Sequence, residues 1–493
     1  MVTSAAVPAP TGVRTSDHGR EEKLASSVAR AIEDDIVAAG WPVGSVFGSE
    51  SDLIARYGIS RAVFREAIRL VEHHHVAVMR RGPSGGLVIK EPDAAAAVTA
   101  AVVYLEFAGS TVADLLGVRL LLEPIVAFAA AENITEEGIV ALRAAVDEPV
   151  NTPATGSTTA PAHRDLHVKL AELSGNPALQ LFVEVLVRLT ERYARWRRTS
   201  KAERTATLAQ VESTHRAIVD AVIGGDAATA QHYMAAHLEA MSQWFSGTQR
   251  RIASRRATTR PGTATADGRK LAEVIAEEMR EDIITGGWRI GDVVGSEGEL
   301  QERYEVSRSA LREAVRLLEH HSVARMRRGQ GGGLVVTEPD PSPGVEAMAL
   351  YLDYRGSTAH DLLTVRKALE LGCIDTAIDT AEQPATRERL RGTLTVKPGT
   401  PEGELERMVH DLHLALADLH GNPVLTYFLR TITSLWRRHG SGMTGATALP
   451  PPEAAAAVEK AHSALVDAIL AGDRGLARHR LTRHLDALPA WWH

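Results

Sequence analysis

A single cysteine, Cys373, stands in 493 residues, which excludes a disulfide framework and fits a reducing cytosol. Aromatic residues make up only 4% of the chain, so its cores must be assembled mainly from Leu, Val, Ile and Ala. An Ala-rich chain with few β-branched runs favours helix. No apolar run reaches the roughly 18 residues that a membrane span needs, and no basic-then-apolar leader opens the sequence. A cytoplasmic protein without membrane contact is expected. Excess positive charge is missing too. At a formal net charge of −7, any nucleic-acid contact must come from a local patch. HExxH and similar metal-plus-base motifs are absent, as is a Gly-rich nucleotide loop opening a strand–helix unit, so no enzyme is expected. The chain is too long for one core and predicts three or four domains.

What is present is written twice. Lys23 to Asp93 aligns without a gap on Lys270 to Asp340, and about half the positions are identical, among them GSE, SR, REA, EHH, MRRG, GGLV and EPD. Farther on, GSTVADLLGVRLLLE is answered by GSTAHDLLTVRKALE, DLHVKLAELSGNP by DLHLALADLHGNP, and THRAIVDAVIGGD by AHSALVDAILAGD. A period of roughly 240 residues is far too long for a solenoid and reads as duplication of a two-domain unit. Ser246 to Gly268 is rich in Arg, Thr, Ala and Gly, contains Pro261-Gly262, and reads as the linker between copies.

In the first module, Leu24, Val28, Ile32 and Ile36 recur at i, i+4 and predict a helix over about Glu22 to Ala39, stopped by Gly40. Ser49 followed three residues later by Asp52 has the capping-box pattern and opens a short helix, which Gly58 breaks. Ser60 caps a third helix reaching about His74, completing a helix-turn-helix. Phe64, Ala67, Ile68 and Val71 form its inward stripe, while Arg61, Arg65 and Arg69 recur on another face. The second copy repeats this with Leu311, Ala314, Val315 and Leu318 inward and Arg308, Arg312 and Arg316 outward. For an isolated helix such a stripe is most simply a solvated face. The neighbouring residues change that reading. Val76 to Met79, then Arg80-Arg81-Gly82, then Gly85 to Ile89 predict strand, tight turn and strand, a wing. The second copy has Arg327, Arg328, Gly329 and the run Gly331-Gly332-Gly333. Arginine forks match phosphate oxygens and the guanine edge in double-stranded DNA.

The segment GSESDLIARYGISRAVFREAIRLVEHHHVAVMRRGPSGGLVI resembles the winged helix of GntR-type bacterial regulators. The resemblance implies that Arg61 and Arg65, with Arg308 and Arg312, contact bases and phosphates, and that Gly82 and Gly85, with Gly329 and Gly332, lie at the wing tips. Where the family usually carries Arg after the Glu of the capping segment, this chain has Ser51 and Gly298.

After Asp93 the pattern is helical almost throughout, over Ala94–Phe107, Val112–Glu132, Ile139–Val146, His163–Ser174, Ala178–Arg195, Ala206–Ile223 and Ala227–Phe245, interrupted by a Thr/Ala/Pro loop from Val150 to Pro161. His163 and His167 share a helix face at i, i+4, and His215 and His237 lie on two later helices. Most helix histidines are surface or hydrogen-bonded core residues. Matching histidines in the second copy, His413, His462 and His484, argue for more. Imidazoles converging from three helices suit a divalent transition metal, zinc or nickel. The arrangement resembles the FCD effector domain of FadR-type GntR regulators, which implies a metal held by these histidines and a small carboxylate effector. The family's acid, four residues before the first His, is replaced by His163 in one half and Val409 in the other, where His410 can share the face. Arg119 and Arg366 match an arginine that can face the effector carboxylate. An intrahelical pair with Glu123 and Glu370 is the equal alternative.

The prediction is a mainly α chain of two winged helix-turn-helix domains alternating with two all-α bundles. Its divisions are a disordered leader at 1–20, winged helices at 21–93 and 268–340, effector domains at 94–246 and 341–493, and a linker at 247–267. The function expected is a DNA-binding transcriptional regulator, a repressor, whose copies pair within one chain as a pseudo-dimer or between chains as a homodimer. An alternative keeps DNA and effector binding in the first half only and leaves the second for pairing.

Overall fold

The computed structural model describes residues 17–82, 85–147, 161–195, 201–245, 271–327, 329, 331–394, 402–441 and 452–487. Residues 1–93 form one compact unit and residues 94–493 another. In the first unit α1 (Asp17–Ala38), β1 (Val46–Gly48), α2 (Glu50–Tyr57), α3 (Arg61–His73), β2 (Ala77–Arg80) and β3 (Gly86–Ile89) follow in order. The buried stripe of α1 is Ala25, Val28, Ala29, Ile32 and Ile36. Leu24, expected on that stripe, is 47% exposed, because it stands one residue, about 100° of helix, off the line that Ala25 continues. Ser49 and Ser60 cap α2 and α3 through Asp52 N and Val63 N, and Gly58 ends α2 in the left-handed conformation. Phe64, Ala67, Ile68 and Val71 are all buried.

β1 was not legible in the sequence, since three residues show no alternation. It completes an antiparallel sheet in the order β1-β3-β2. Gly86 has φ +151°, and a Cβ there would lie 2.7 Å from Gly48 O, so only glycine lets the two strands approach this closely.

The second unit opens with α4 (Ala94–Phe107), α5 (Val112–Glu132), α6 (Glu136–Asp147), α7 (Pro161–Leu173), α8 (Pro177–Arg195), α9 (Lys201–Ile223) and α10 (Ala227–Phe245). These are the seven expected helices, with α6 starting three residues early and α9 five. The second winged helix follows as α11 (Leu271–Thr285), β4 (Val293–Gly295), α12 (Glu297–Tyr304), α13 (Arg308–His320), β5 (Ala324–Arg327) and β6 (Gly333–Val336), its sheet ordered β4-β6-β5. Then come α14 (Ser342–Tyr354), α15 (Ala359–Asp379), α16 (Pro384–Gly392), α17 (Glu402–His420), α18 (Pro423–Ser441), α19 (Pro452–Leu470) and α20 (Arg474–Ala487). The leader and the linker lie almost wholly outside the described residues, as does most of the Val150–Pro161 loop.

The two helical bundles share one continuous core. Their contact is self-complementary, as a two-fold pairing requires. Phe182 of α8 stacks on its counterpart Phe428 of α18, centroids 4.1 Å apart and planes 6° from parallel. Asn176 caps α8 with its Oδ1 and donates through Nδ2 to Asp361 O of the other bundle at 3.0 Å. Asn422 does the same for α18 and donates to Asp114 O at 2.9 Å. The sequence reads these asparagines only as caps before an N1 proline. Their amides also tie the copies together. Phe182→Ala should lower stability by about 3–5 kcal/mol, because both rings are fully buried and the cavity cannot collapse across a two-sided interface. Urea denaturation followed by circular dichroism measures this, and a loss below 1 kcal/mol, roughly, would mean the stack carries little of the contact.

Candidate metal centres and DNA-reading face

Three histidines from three helices meet inside the first bundle. His167 of α7, His215 of α9 and His237 of α10 are all buried, and one nitrogen from each lies within 4.8 Å of the others. Their neighbours decide which nitrogen faces inward. Glu123 Oε2 of α5 stands 2.5 Å from His167 Nδ1, so Nδ1 carries the proton and Nε2 the lone pair. Thr214 donates its hydroxyl to Val211 O at 2.9 Å and accepts from His237 Nδ1 at 3.1 Å, fixing that ring the same way. His215 Nε2 and His237 Nε2 are then 3.4 Å apart. Burial keeps all three imidazoles below their ordinary pKa and hence neutral.

Glu123 is itself held. Arg119, one helical turn back, donates from Nε to Glu123 Oε1 at 2.5 Å and from Nη2 to Oε2 at 3.3 Å, and its Nη1 reaches Thr190 Oγ1 of α8 at 3.5 Å. Burial alone would raise the Glu123 carboxyl, but Arg119 and His167 outweigh it and hold it well below the carboxylate range. The intrahelical pair is therefore present, and its acid belongs to the histidine cluster as an orienting group. Sequence reasoning did not assign Glu123 or Thr214 to the cluster. The usable signal for Glu123 was the Arg-x-x-x-Glu spacing on the helix that must face the histidines.

The second bundle repeats the cluster with His413 of α17, His462 of α19 and His484 of α20. Glu370 Oε2 is 2.5 Å from His413 Nδ1, and Arg366 Nε donates to Glu370 Oε1 at 2.6 Å. His484 Nε2 lies 3.2 Å from His413 Nε2 and 3.1 Å from His462 Nε2. Burial lowers His462 to about 4 and His484 to about 2. Arg366 Nη1 is buried with no hydrogen-bond partner among the described residues, and its guanidinium stacks 5.6 Å over Trp436, the counterpart of Thr190. His163 stands in the first turn of α7, with its side chain outside the described residues. His410 is buried beside the second cluster and is not one of its three converging groups. Nitrogens bound to one zinc at about 2.0–2.1 Å stand roughly 3–3.5 Å apart, the span in which the His215–His237 separation of 3.4 Å and the two His484 separations of 3.1 and 3.2 Å fall.

On α3, Arg61, Arg65 and Arg69 are exposed, as are Arg80 and Arg81 at the wing. Arg61 pairs with Glu50 at 3.1 Å and Arg69 with Glu66 at 2.8 Å. On α13, Arg308 and Arg312 share Glu297 at 3.0 and 2.9 Å, and Arg316 is exposed. These are surface pairs that a phosphate can replace. Gly82 and Gly85 lie between β2 and β3, and Gly329 and Gly332 between β5 and β6. Arg327 donates to Gly331 O at 3.0 Å, bracing the second wing, whereas Arg328 lies outside the described residues.

Helix-turn-helix plus wing, joined to a helical bundle with a buried polar centre, defines a ligand-sensing DNA-binding regulator. The model of the FCD domain matches residues 114–240 and 361–487, and that of the gntR family of bacterial regulatory proteins matches residues 271–334. The chain belongs to the gntR family of regulators that carry an FCD domain, and it holds two FCD copies. It is a DNA-binding transcriptional regulator and not an enzyme. The HTH-type transcriptional regulator LutR of Bacillus subtilis is 33% identical over 156 residues, 31% of this chain and 69% of LutR. The Glc operon transcriptional activator of Escherichia coli is 27% identical over 175 residues, 34% of this chain and 67% of the activator. The HTH-type transcriptional repressor NanR of Escherichia coli is 26% identical over 232 residues, 46% of this chain and 85% of NanR. Among solved structures, Streptococcus agalactiae GntR is 20% identical with a TM-score of 0.30, over 44% of this chain and 99% of that one. Among the described residues, no helix is long and apolar enough to cross a membrane.

Proposed function

We propose that each effector domain binds one divalent metal, zinc or nickel, through its three histidines, and that a small carboxylate completes the site and changes the grip of the winged helices on DNA. The observation that carries this reading is the orientation of the imidazoles. Buried carboxylates at Glu123 and Glu370 hold the protons of His167 and His413 outward, leaving neutral nitrogens converging on one point. The ion, when bound, supplies a positive charge and open coordination positions for a carboxylate oxygen. In the second domain Arg366 Nη1 offers a further buried donor. His163 is the candidate fourth ligand, and Arg119 and Arg366 orient the acids that orient the histidines. Because the second cluster is as closely drawn as the first, two functional sites are favoured over a degenerate second half. The protein acts in the cytoplasm, one chain covering two half-sites, and represses by occluding the DNA that it covers.

Metal analysis of protein purified without chelator should give about two ions per chain, falling to one for His215→Ala and to one for His462→Ala. Retention of no metal by the wild-type chain after incubation with zinc and gel filtration would refute the metal site. A promoter fusion carrying an operator selected from a random DNA pool with the purified protein should be silenced by it. Stimulation in its place would reverse the assigned output.

A further inference from the structure

The second DNA-reading domain is built onto the first effector domain. Val103 of α4 belongs to the core that α11 to β6 enclose, and Phe107 packs against that core. Three residues beyond Val103, Glu106 is buried, with Arg192 Nε of α8 2.5 Å from one oxygen and Arg280 Nε of α11 3.4 Å from the other. Arg192 also reaches Glu277 and Glu281 of α11 at 3.3 and 3.5 Å. Desolvation pushes the Glu106 carboxyl up, and Arg280 and Arg192 oppose it. Exposed pairs of this kind contribute little, but a buried carboxylate between two guanidiniums leaves an uncompensated charge when any member is lost.

The duplicated sequence carries different chemistry at the matching places. Arg280 is answered by Glu33 in the first winged helix, Glu106 by Asp353, and Arg192 by Arg438. Glu33 is buried against His74 Nδ1 at 2.5 Å inside its own domain, Arg438 holds Glu346 at 2.8 Å, and Asp353 takes His439 at 3.1 Å. With an acid at both matching places, the pairing of Glu106 with Arg280 is not repeated in the sequence. Helix α8, which carries Arg192, also touches the shell of the first histidine site. Arg119, which holds Glu123 against His167, reaches Thr190 two residues before Arg192, and Tyr193 donates to Ser110 O ahead of α5 at 2.5 Å.

We propose that Glu106, Arg192 and Arg280 clamp the second winged helix to the first effector domain, so that the first histidine site governs the DNA-reading domain of the other half of the chain. The coupling part rests on the metal and DNA readings above, whereas the clamp does not. Hydrogen exchange of the full-length protein without DNA, read by mass spectrometry with and without zinc, tests both. Arg280→Glu, which copies the residue at position 33, and Glu106→Gln, which keeps the volume, should each speed exchange in α11 and the end of α4 by about tenfold or more, and the double variant by no more than either alone. Unchanged exchange in both single variants, each verified as folded by circular dichroism, overturns the clamp. Zinc should slow exchange in α11 of the wild type and leave Arg280→Glu unaffected. Zinc bound at His167 with no effect on α11 overturns the coupling, whereas zinc not bound at all refutes the metal reading and leaves the variants to decide the clamp.

Discussion

Replacing Glu123 with Ala is expected to lower the stability of the protein by about 3–5 kcal/mol, because it strands Arg119 as a buried charge with no counter-ion. Both side chains are almost wholly inaccessible, at 1% exposure each, so solvent screening cannot soften the loss. The same change frees the His167 ring from the acceptor that fixes its tautomer, and zinc affinity of the first site should fall about 10–100-fold. Glu123→Gln keeps the shape, retains one acceptor oxygen, and should be less destabilising while still weakening zinc. Urea denaturation and zinc titration against a competing chelator measure the two effects. Equal unfolding midpoints and equal zinc affinity in wild type and Glu123→Ala would mean that the acid neither balances Arg119 nor orients His167.

The second large effect is expected at the DNA. Arg61→Ala or Arg65→Ala should each weaken specific binding by roughly five- to a hundredfold, as loss of a bidentate base or phosphate contact does. Arg80→Ala should weaken binding to all sequences alike and flatten the salt dependence by about one phosphate contact. Arg308→Ala should act like Arg61→Ala at the second half-site. Because Glu297 holds both Arg308 and Arg312, Glu297→Gln should raise affinity for any duplex by releasing two guanidiniums to the phosphates. Fluorescence anisotropy on DNA selected from a random pool reads all five variants. If Arg308→Ala changes neither affinity nor sequence preference while Arg61→Ala abolishes both, the second winged helix is no reader of DNA.

Two FCD copies in one chain put the second at high local concentration beside the first, and the reciprocal asparagine bonds and the phenylalanine stack are what an intrachain pair needs. A one-chain mass by light scattering, with one chain per pair of half-sites, is the expected result. A two-chain mass carrying four winged helices would assign the pairing to separate chains.

The sequence by itself determined the repeat, the helix faces and the identities of the converging histidines. Each of these follows from local periodicity: a 3.6-residue stripe selects Phe64 and Leu311 for burial and leaves Arg61 and Arg308 outside. Repetition gave weight to His167 and His413, since chance histidines are not expected at matching places in divergent copies. Tertiary structure alone decided three things. Glu123 turns to His167 across 44 positions, and its partnership with Arg119 concealed this, because a carboxylate offers about four lone-pair sites and the two bonds from Arg119 do not exhaust them. Asn176 and Asn422 join the bundles through amide protons left over after capping. Val103 of α4 enters the core of α11 to β6, a contact that no local pattern announces. Pairing of distant groups depends on which surfaces meet, and periodicity carries no information about that until the chain is packed.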